Sequence, residues 1–352
     1  MDSPIKTRVW RLDADAPDPD IIAQAADIIR DGRLVAFPTE TVYGLGANAL
    51  SAPAIERIYA AKQRPAHDPI IAHIAAIDDL PRLAVDIPDI AFDLARALWP
   101  GALTMILKRG ADVPDNIAAG LDTVAVRMPS GKIAAALIAS AGVPIAAPSA
   151  NTFTRPSATT AAHVLHDLGG RIDAVLDGGA THIGIESTVL DLTGETPTIL
   201  RPGGVLLDDI QRIAPTTITR SRWQTDDTPS PSPGQMLKHY APNARMMVYR
   251  GEVAAVLDAM RRTAEELSAE GLRVGLLVAA EDRPHIDGAG VVHVLGRRDD
   301  LAGISRNLFA ALRQLDAQNV DVILTRDFGA EGLGVALWDR LVRAAEGRVV
   351  TV

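Results

Sequence analysis

The chain has 352 residues, of which 47% are hydrophobic and 22% charged, with a net charge of -9 and no cysteine. That length exceeds what one core usually fills, so two domains are expected, and the missing cysteines exclude disulfides, thiolate metal ligands and a cysteine nucleophile. The negative charge and 4% aromatic content argue against broad adhesion to nucleic acid or an anionic membrane, while leaving room for a local basic pocket.

Residues 1–12 carry Lys6, Arg8 and Arg11 without an apolar core, and the apolar stretch from Ile133 to Pro148 is broken by Ser140, Gly142 and Pro144. Neither reads as a signal peptide or a membrane span, so a soluble, cytoplasmic chain is expected. Ile21, Ile22, Ala25, Ile28 and Ile29 follow helical spacing up to Gly32, and Leu34 to Phe37 then reads as a buried strand. Behind it, Phe37-Pro38-Thr39-Glu40-Thr41-Val42-Tyr43-Gly44-Leu45-Gly46 reads as a ligand-binding loop, rich in hydroxyls and with two glycines that let backbone approach a ligand. An ordinary turn with a glycine-rich exit is the alternative.

Ser51 is positioned to cap a helix through Ile55, Ile58 and Ala61, ending near Pro65. Strands are expected at 70–74, 103–107, 123–126 and 143–147, with helices at 90–98 and 133–141. Strands near 174–176, 187–191 and 198–200 follow with little helix between them, which makes the sheet mixed. Residues 215–233 turn to Thr, Ser, Pro, Asp and Arg, the composition of a connector. Beyond it, strands at 246–249, 273–278, 291–295 and 321–325 alternate with helices at 253–267, 304–315 and 335–345, the pattern of a small unit with a parallel sheet.

Several polar groups stand where strands or helices end. Lys62 and Arg64, with Asp68 and His73 after them, put two cations at a helix end, suited to a carboxylate and a phosphate; a solvated helix end is the alternative. Arg127 closes an apolar strand, where α/β proteins commonly place ligand contacts. Ser149-Ala150-Asn151, then Arg155-Pro156-Ser157, supply hydroxyls, an amide and backbone N–H groups for phosphate oxygens. Glu186-Ser187-Thr188-Val189 and Leu200-Arg201-Pro202-Gly203 repeat the polar handle at a strand edge, and Ser232 to Pro242 concentrates ligand-type groups in what is otherwise a linker.

Other motifs fail. Ser130-Gly131-Lys132 has no upstream glycine at P-loop spacing, Gly44-Leu45-Gly46 lacks the third glycine of a dinucleotide fingerprint, and no Gly-x-Ser-x-Gly is present. His163 and His166 share a helix face that reads as solvated, without further ligands to complete a metal site.

Taken together, these segments resemble, in order and spacing, the YrdC-like threonylcarbamoyl-AMP synthase family in its long, two-domain form. The likeness to the catalytic part spans roughly residues 15 to 210. It implies a twisted mixed α/β sheet with flanking helices over residues 1–212, a linker at 213–243 that covers the active site, and a smaller Rossmann-like α/β domain at 244–352. It further implies synthesis of L-threonylcarbamoyladenylate and pyrophosphate from L-threonine, bicarbonate or CO2, and ATP with Mg²⁺, for threonylcarbamoylation of tRNA adenosine 37. By the same resemblance Thr41, His73, Arg127, Ala147 and Ser187, with Thr39 assisting, would surround threonine. Arg64, Asp68, Thr123, Ser149, Asn151, Ser157, Arg201 and Tyr240 would surround ATP, with Lys62 and Arg64 as the catalytic cations. Two departures stand out: Asp68, where the family often has asparagine, and Thr154, where it has glycine. A carboxylate beside a triphosphate is favourable only through a metal or as a protonated donor.

The implied partners are the enzymes that transfer the product to tRNA, with at most a transient tRNA contact, from a monomer that touches no membrane. One rival reading is an RNA-binding or ribosome-associated module without catalysis, which calls for a continuous basic surface with stacking aromatics. Another is an enzyme of the same fold acting on a different carbamoyl donor or amine, which threonine dependence would separate.

Overall fold

In the computed structural model, which describes residues 5–220, 237 and 239–352, the first strand β1 (Arg8–Arg11) leads to a capped helix. Asp18 accepts hydrogen bonds from the N–H groups of Asp20 and Ile21, and Pro19 stands at the first helical position, so α1 (Pro19–Arg30) begins with its orphan donors engaged. Its buried stripe is Ile22, Ala25, Ala26, Ile28 and Ile29.

Strand β2 (Val35–Pro38) turns at Thr39 and returns as β3 (Tyr43–Asn48), antiparallel to it, with Phe37 opposite Gly44 and Val35 opposite Gly46. The expected ligand loop from Phe37 to Gly46 is therefore mostly hairpin, and only 39–42 is turn. Gly46 has a packing reason: a Cβ there would lie 2.7 Å from Phe37 Cε1 and 2.9 Å from Ile145 Cγ2. Glycine in a strand is what close backbone approach requires, so these glycines serve the packing of the hairpin whose turn carries Thr39, Glu40 and Thr41.

Helix α2 (Ala52–Lys62) follows, with Ser51 at the cap position but without a side-chain capping bond. Then come β4 (Ala72–His73), α3 (Asp89–Leu98), β5 (Leu103–Lys108), β6 (Thr123–Arg127), α4 (Lys132–Ala141), β7 (Ile145–Ala146), α5 (Ala161–Leu168), β8 (Ala174–Asp177), β9 (Thr188–Asp191), β10 (Thr198–Arg201), α6 (Leu207–Gln211) and β11 (Ile218–Thr219). The eleven strands form one mixed sheet in the order β1-β8-β2-β3-β7-β4-β6-β5-β9-β10-β11. Strand β11 pairs with β10 inside the stretch expected to be connector; the remainder of that stretch, with Ser232 to Met236 and Lys238, lies outside the described residues.

Alternation along the strands divides the core. Ala36 and Val175 join the cluster covered by α2, α3 and α5, while Val35, Phe37, Ala174 and Leu176 join the one under α1 and α4. Burial on both faces explains why these strands read as unbroken apolar runs.

The chain divides into two compact units, Met1–Phe153 with Ser157–Gln235, and Thr154–Pro156 with Met236–Val352. The second contains β12 (Arg245–Arg250), α7 (Val253–Ala269), β13 (Val274–Val278), β14 (Val291–Val294), α8 (Leu301–Ala317), β15 (Val322–Arg326), α9 (Leu333–Ala344) and β16 (Val349–Thr351). Its strands are all parallel, in the order β14-β13-β15-β12-β16. Met260, Leu276, Val278 and Leu324 lie in its core. Within this unit Arg155 pairs with Asp316 at 2.6 Å. Thr154 takes φ 67, so threonine holds the left-handed conformation a glycine adopts more readily.

Candidate active site

In the first unit, Ile71, just ahead of β4, forms a small apolar cluster with Ala125 of β6, Ile106 of β5 and Val189 of β9, strands that neighbour one another in the order β4-β6-β5-β9. Side chains two residues apart on a strand share a face, so His73, Thr104 and Arg127, each two residues from a cluster member, stand on the same face as that floor. The register aligns them, since Arg127 is the partner of His73 on one side and of Thr104 on the other. Ser187, two residues before Val189 and just ahead of β9, completes the row with a 2.8 Å hydroxyl bond to Thr104.

Arg127 is 4% exposed and held on three sides. Its Nε donates to the Gly101 carbonyl at 3.1 Å, Nη1 to Thr41 Oγ1 at 2.9 Å and Nη2 to Glu40 Oε1 at 2.6 Å. The other Glu40 oxygen accepts from the Ser130 N–H at 3.2 Å. Burial alone pushes the Glu40 carboxyl up; the charge and hydrogen bond of Arg127, with the Ser130 N–H, outweigh it and hold the group below its usual range. His73 is pushed the opposite way for an imidazole, down to about 3, by burial and then by the Arg127 charge. It is therefore neutral at physiological pH, and its Nδ1 is buried without a hydrogen-bond partner among the described residues.

The 39–42 turn is tied to this row. Thr39 Oγ1 donates to the Val42 carbonyl at 2.7 Å, so the 2.8 Å bond between the Thr39 and Thr41 hydroxyls takes its proton from Thr41. Hydrogen bonds thus run in one direction, from Arg127 to Thr41, to Thr39, to the Val42 carbonyl. Thr39, expected to assist in binding threonine, spends its only proton inside its own turn.

The cations expected to meet ATP are anchored. Lys62, 1% exposed, donates to the carbonyl of Ser149 at 2.5 Å and to that of Asn151, joining the end of α2 to the 149–151 segment. That segment also bridges to β3 at Gly44. Arg64 donates Nε to the Asp68 carbonyl at 3.2 Å and Nη2 to the Pro69 carbonyl at 2.7 Å, and pairs with the Asp68 carboxylate at 2.9 Å. Asp68 is fully buried in that pair. A metal or a bound proton is therefore not needed to keep this carboxylate in place: an internal arginine compensates it, a third possibility that the sequence argument left out.

Ser157 donates to Glu186 Oε1 at 2.5 Å, and Arg201 lies on Ser187, with Nη2 2.9 Å from its carbonyl and 3.2 Å from its hydroxyl. Ala147 donates its N–H to the Ile71 carbonyl at 2.9 Å, beside the same cluster. Thr123 and Arg127 occupy opposite ends of β6, roughly 13 Å apart at strand rise; Thr123 also lines a cavity of about 450 Å³ with Lys108 and Asp122. Tyr240 belongs to the second unit, where it is fully buried against Phe309, ring centroids 5.2 Å apart, and beneath the Arg343 guanidinium at 4.7 Å.

Glu40 and Thr104 were not assigned from sequence, although both make the bonds that hold the row. Thr104 left one signal, a lone hydroxyl in the apolar run Leu103 to Leu107. Glu40 was quoted among the loop residues, but nothing in the sequence pairs it with Arg127, 87 residues away.

Residues 27–203 match the Sua5–YciO–YrdC family, described as "Telomere recombination", and residues 205–346 match "Threonylcarbamoyl-AMP synthase, C-terminal domain". A threonylcarbamoyl-AMP synthase of Pyrococcus abyssi is 46% identical over 93% of this chain and 95% of its own. The chain belongs to the threonylcarbamoyl-AMP synthase family. The Bacillus subtilis family member is 43% identical over 98% of this chain and its own full length. The crystal structure of P. abyssi Sua5 complexed with L-threonine superposes with a TM-score of 0.93 at 43% identity, covering 98% of this chain and all of that one. Family membership accounts for both units, the mixed sheet and the parallel one, in a single chain.

Proposed function

We propose that this family member makes L-threonylcarbamoyladenylate and pyrophosphate from L-threonine, bicarbonate or CO2, and ATP, the precursor for threonylcarbamoylation of tRNA adenosine 37. The observation that carries the reading is the row His73, Arg127, Thr104 and Ser187 with Thr41 beside it: a buried guanidinium next to a neutral imidazole and three hydroxyls suits a small hydroxylated amino acid. Arg127 takes the threonine carboxylate, while Thr41, His73, Ser187 and the Ala147 backbone read the rest of the molecule.

The threonine ammonium first gives up a proton, and the free amine then attacks the carbon of CO2 and loses a second one, giving a carbamate. A carbamate oxygen then attacks the α-phosphorus of ATP, the bond to the β-phosphate oxygen breaks, and pyrophosphate leaves. No protein nucleophile is needed, so the chain's contribution is to hold two anions together and offset their charge. Arg64, Ser149, Asn151, Ser157, Arg201 and Thr123 form the ATP side, with Tyr240 assigned to it by resemblance. Lys62 and Asp68 act there through what they anchor, the 149–151 carbonyls and Arg64.

Arginines, hydroxyls and an amide make an anion-binding set, which fits Mg²⁺ carried on the nucleotide's own phosphates; when bound, the ion offsets charge on the leaving pyrophosphate. Among the described residues no group of three or more His, Asp or Glu is arranged to hold a metal, and no helix is long and apolar enough to cross a membrane. In this reading residues 244–352 form the second domain, and a cytoplasmic monomer hands the product to the tRNA-modifying enzymes.

The test is pyrophosphate release from MgATP with and without L-threonine and bicarbonate. Release is expected only with all three, and Arg64→Ala is expected to lower it by about a hundredfold, as loss of one charge-assisted contact implies. Release indifferent to threonine would overturn the reading.

A further inference from the structure

We infer that Glu40 is a positioning residue for threonine recognition, setting which N–H groups of Arg127 face the substrate. This rests on the reading that Arg127 binds the threonine carboxylate.

A guanidinium has five N–H donors, and among the described residues three are committed: one to Gly101, one to Thr41 and one to Glu40. Two remain for a ligand. Of the three anchors Glu40 is the only charged one, and its bond, at 2.6 Å, is the shortest. Its own position is set by backbone, since Ser130 donates to its second oxygen and its carbonyl accepts from Ile183 at 2.8 Å. The carboxylate is thus a fixed post, and the guanidinium turns to meet it.

The pair also explains the direction of the hydroxyl chain. With Nη2 taken by Glu40, Nη1 is left to Thr41, which passes its own proton to Thr39. Rotating the guanidinium would break that sequence, so Glu40 orients Thr41 as well as Arg127.

Burying a charge pair is seldom a gain in stability over apolar packing, because the desolvation of both groups consumes most of the attraction. A pair 4% and 10% exposed at its side chains, beside an imidazole whose Nδ1 has no hydrogen-bond partner among the described residues, has a better rationale in recognition. The carboxylate offsets the guanidinium charge beside the place proposed for the substrate. Without Glu40 the same arginine carries an uncompensated charge and keeps only its bonds to Gly101 and Thr41.

The experiment is steady-state pyrophosphate release by the full chain for wild type, Glu40→Gln, Glu40→Asp, Arg127→Ala and the Glu40→Gln/Arg127→Ala double variant. Threonine and MgATP are varied separately, and melting temperatures are recorded. Glu40→Gln keeps the shape and removes the charge; Glu40→Asp keeps the charge and withdraws it by one methylene. Both are expected to raise the threonine KM about tenfold or more, leaving the ATP KM within about twofold and kcat at saturating threonine within about threefold. The double variant is expected to be no worse for threonine than Arg127→Ala alone, because both changes remove the same interaction.

An Arg127→Ala variant with a raised threonine KM beside a Glu40→Gln variant with an unchanged one overturns the proposal and leaves the reading of Arg127 standing. An unchanged threonine KM in Arg127→Ala overturns that reading itself. A rise in both substrates' KM together with a fall in kcat marks a merely structural role and overturns the proposal. If Glu40→Gln fails to fold, Glu40→Asp decides by the same criteria.

Discussion

At the scale of single residues, the site is made of groups whose charge states are set by one another. His73 is neutral because burial and the Arg127 charge both disfavour its protonation, and Glu40 is ionised because Arg127 outweighs its burial. Each has a consequence for stability. An unfolded His73 takes up a proton below about pH 6.5 while the folded one does not until about 3, so its contribution is full above 6.5 and declines as the pH falls toward 3. Glu40 adds a loss in the same direction at lower pH, since its folded carboxyl titrates below its ordinary range. His73→Asn should therefore flatten the pH dependence of the first unit's stability, by up to about 1.4 kcal/mol per pH unit. Urea midpoints at about pH 7 and about pH 5 check this, and equal slopes in variant and wild type would mean that His73 is protonated in the fold.

At the scale of elements, the long helices and apolar strands were legible because their periodicity is local. Helix α1 came from the spacing of Ile22, Ala25 and Ile29, and all four helix-separated strands 246–249, 273–278, 291–295 and 321–325 fall on strands of the parallel sheet. What escaped was β3, whose glycines mimic a loop, and the edge strands β1, β11 and β16, which carry little apolar pattern. Where elements meet, one position stands out: a Cβ on Gly203 would lie 2.4 Å from the Glu186 carbonyl oxygen and 2.5 Å from Thr188 N. The chain leaving β10 thus passes directly against the chain entering β9, the approach that sets Arg201 on Ser187. Gly203→Ala meets backbone, which cannot swing aside, so it is expected to cost about 3 kcal/mol or more and to raise the KM of both substrates. A variant of wild-type melting temperature would show that the two segments part easily.

At the scale of the molecule, each unit has a core of its own. The clusters of the first unit run from Ile22 to Ala214 and that of the second from Met247 to Val350. A chain ended after residue 220 keeps every strand of the mixed sheet and is expected to unfold cooperatively, as circular dichroism would show. It is also expected to lose most threonine-dependent pyrophosphate release, because the linker and tail take part in the proposed reaction. Full activity in the shortened chain would remove them from it.

By itself the sequence determined the class of fold, the two-unit organisation and the family, since these follow from local periodicity, composition and the order of short motifs. It also marked Arg127 and Ser187 as polar groups at strand edges, and the family resemblance added His73 to them. Only the tertiary structure decided that they form one row over Ile71, Ile106, Ala125 and Val189, that Glu40 anchors Arg127, and that Asp68 is compensated by Arg64. The physical reason is that strand register and the pairing of buried charges join residues far apart in the chain, such as Glu40 and Arg127, and no local pattern records which acid meets which base.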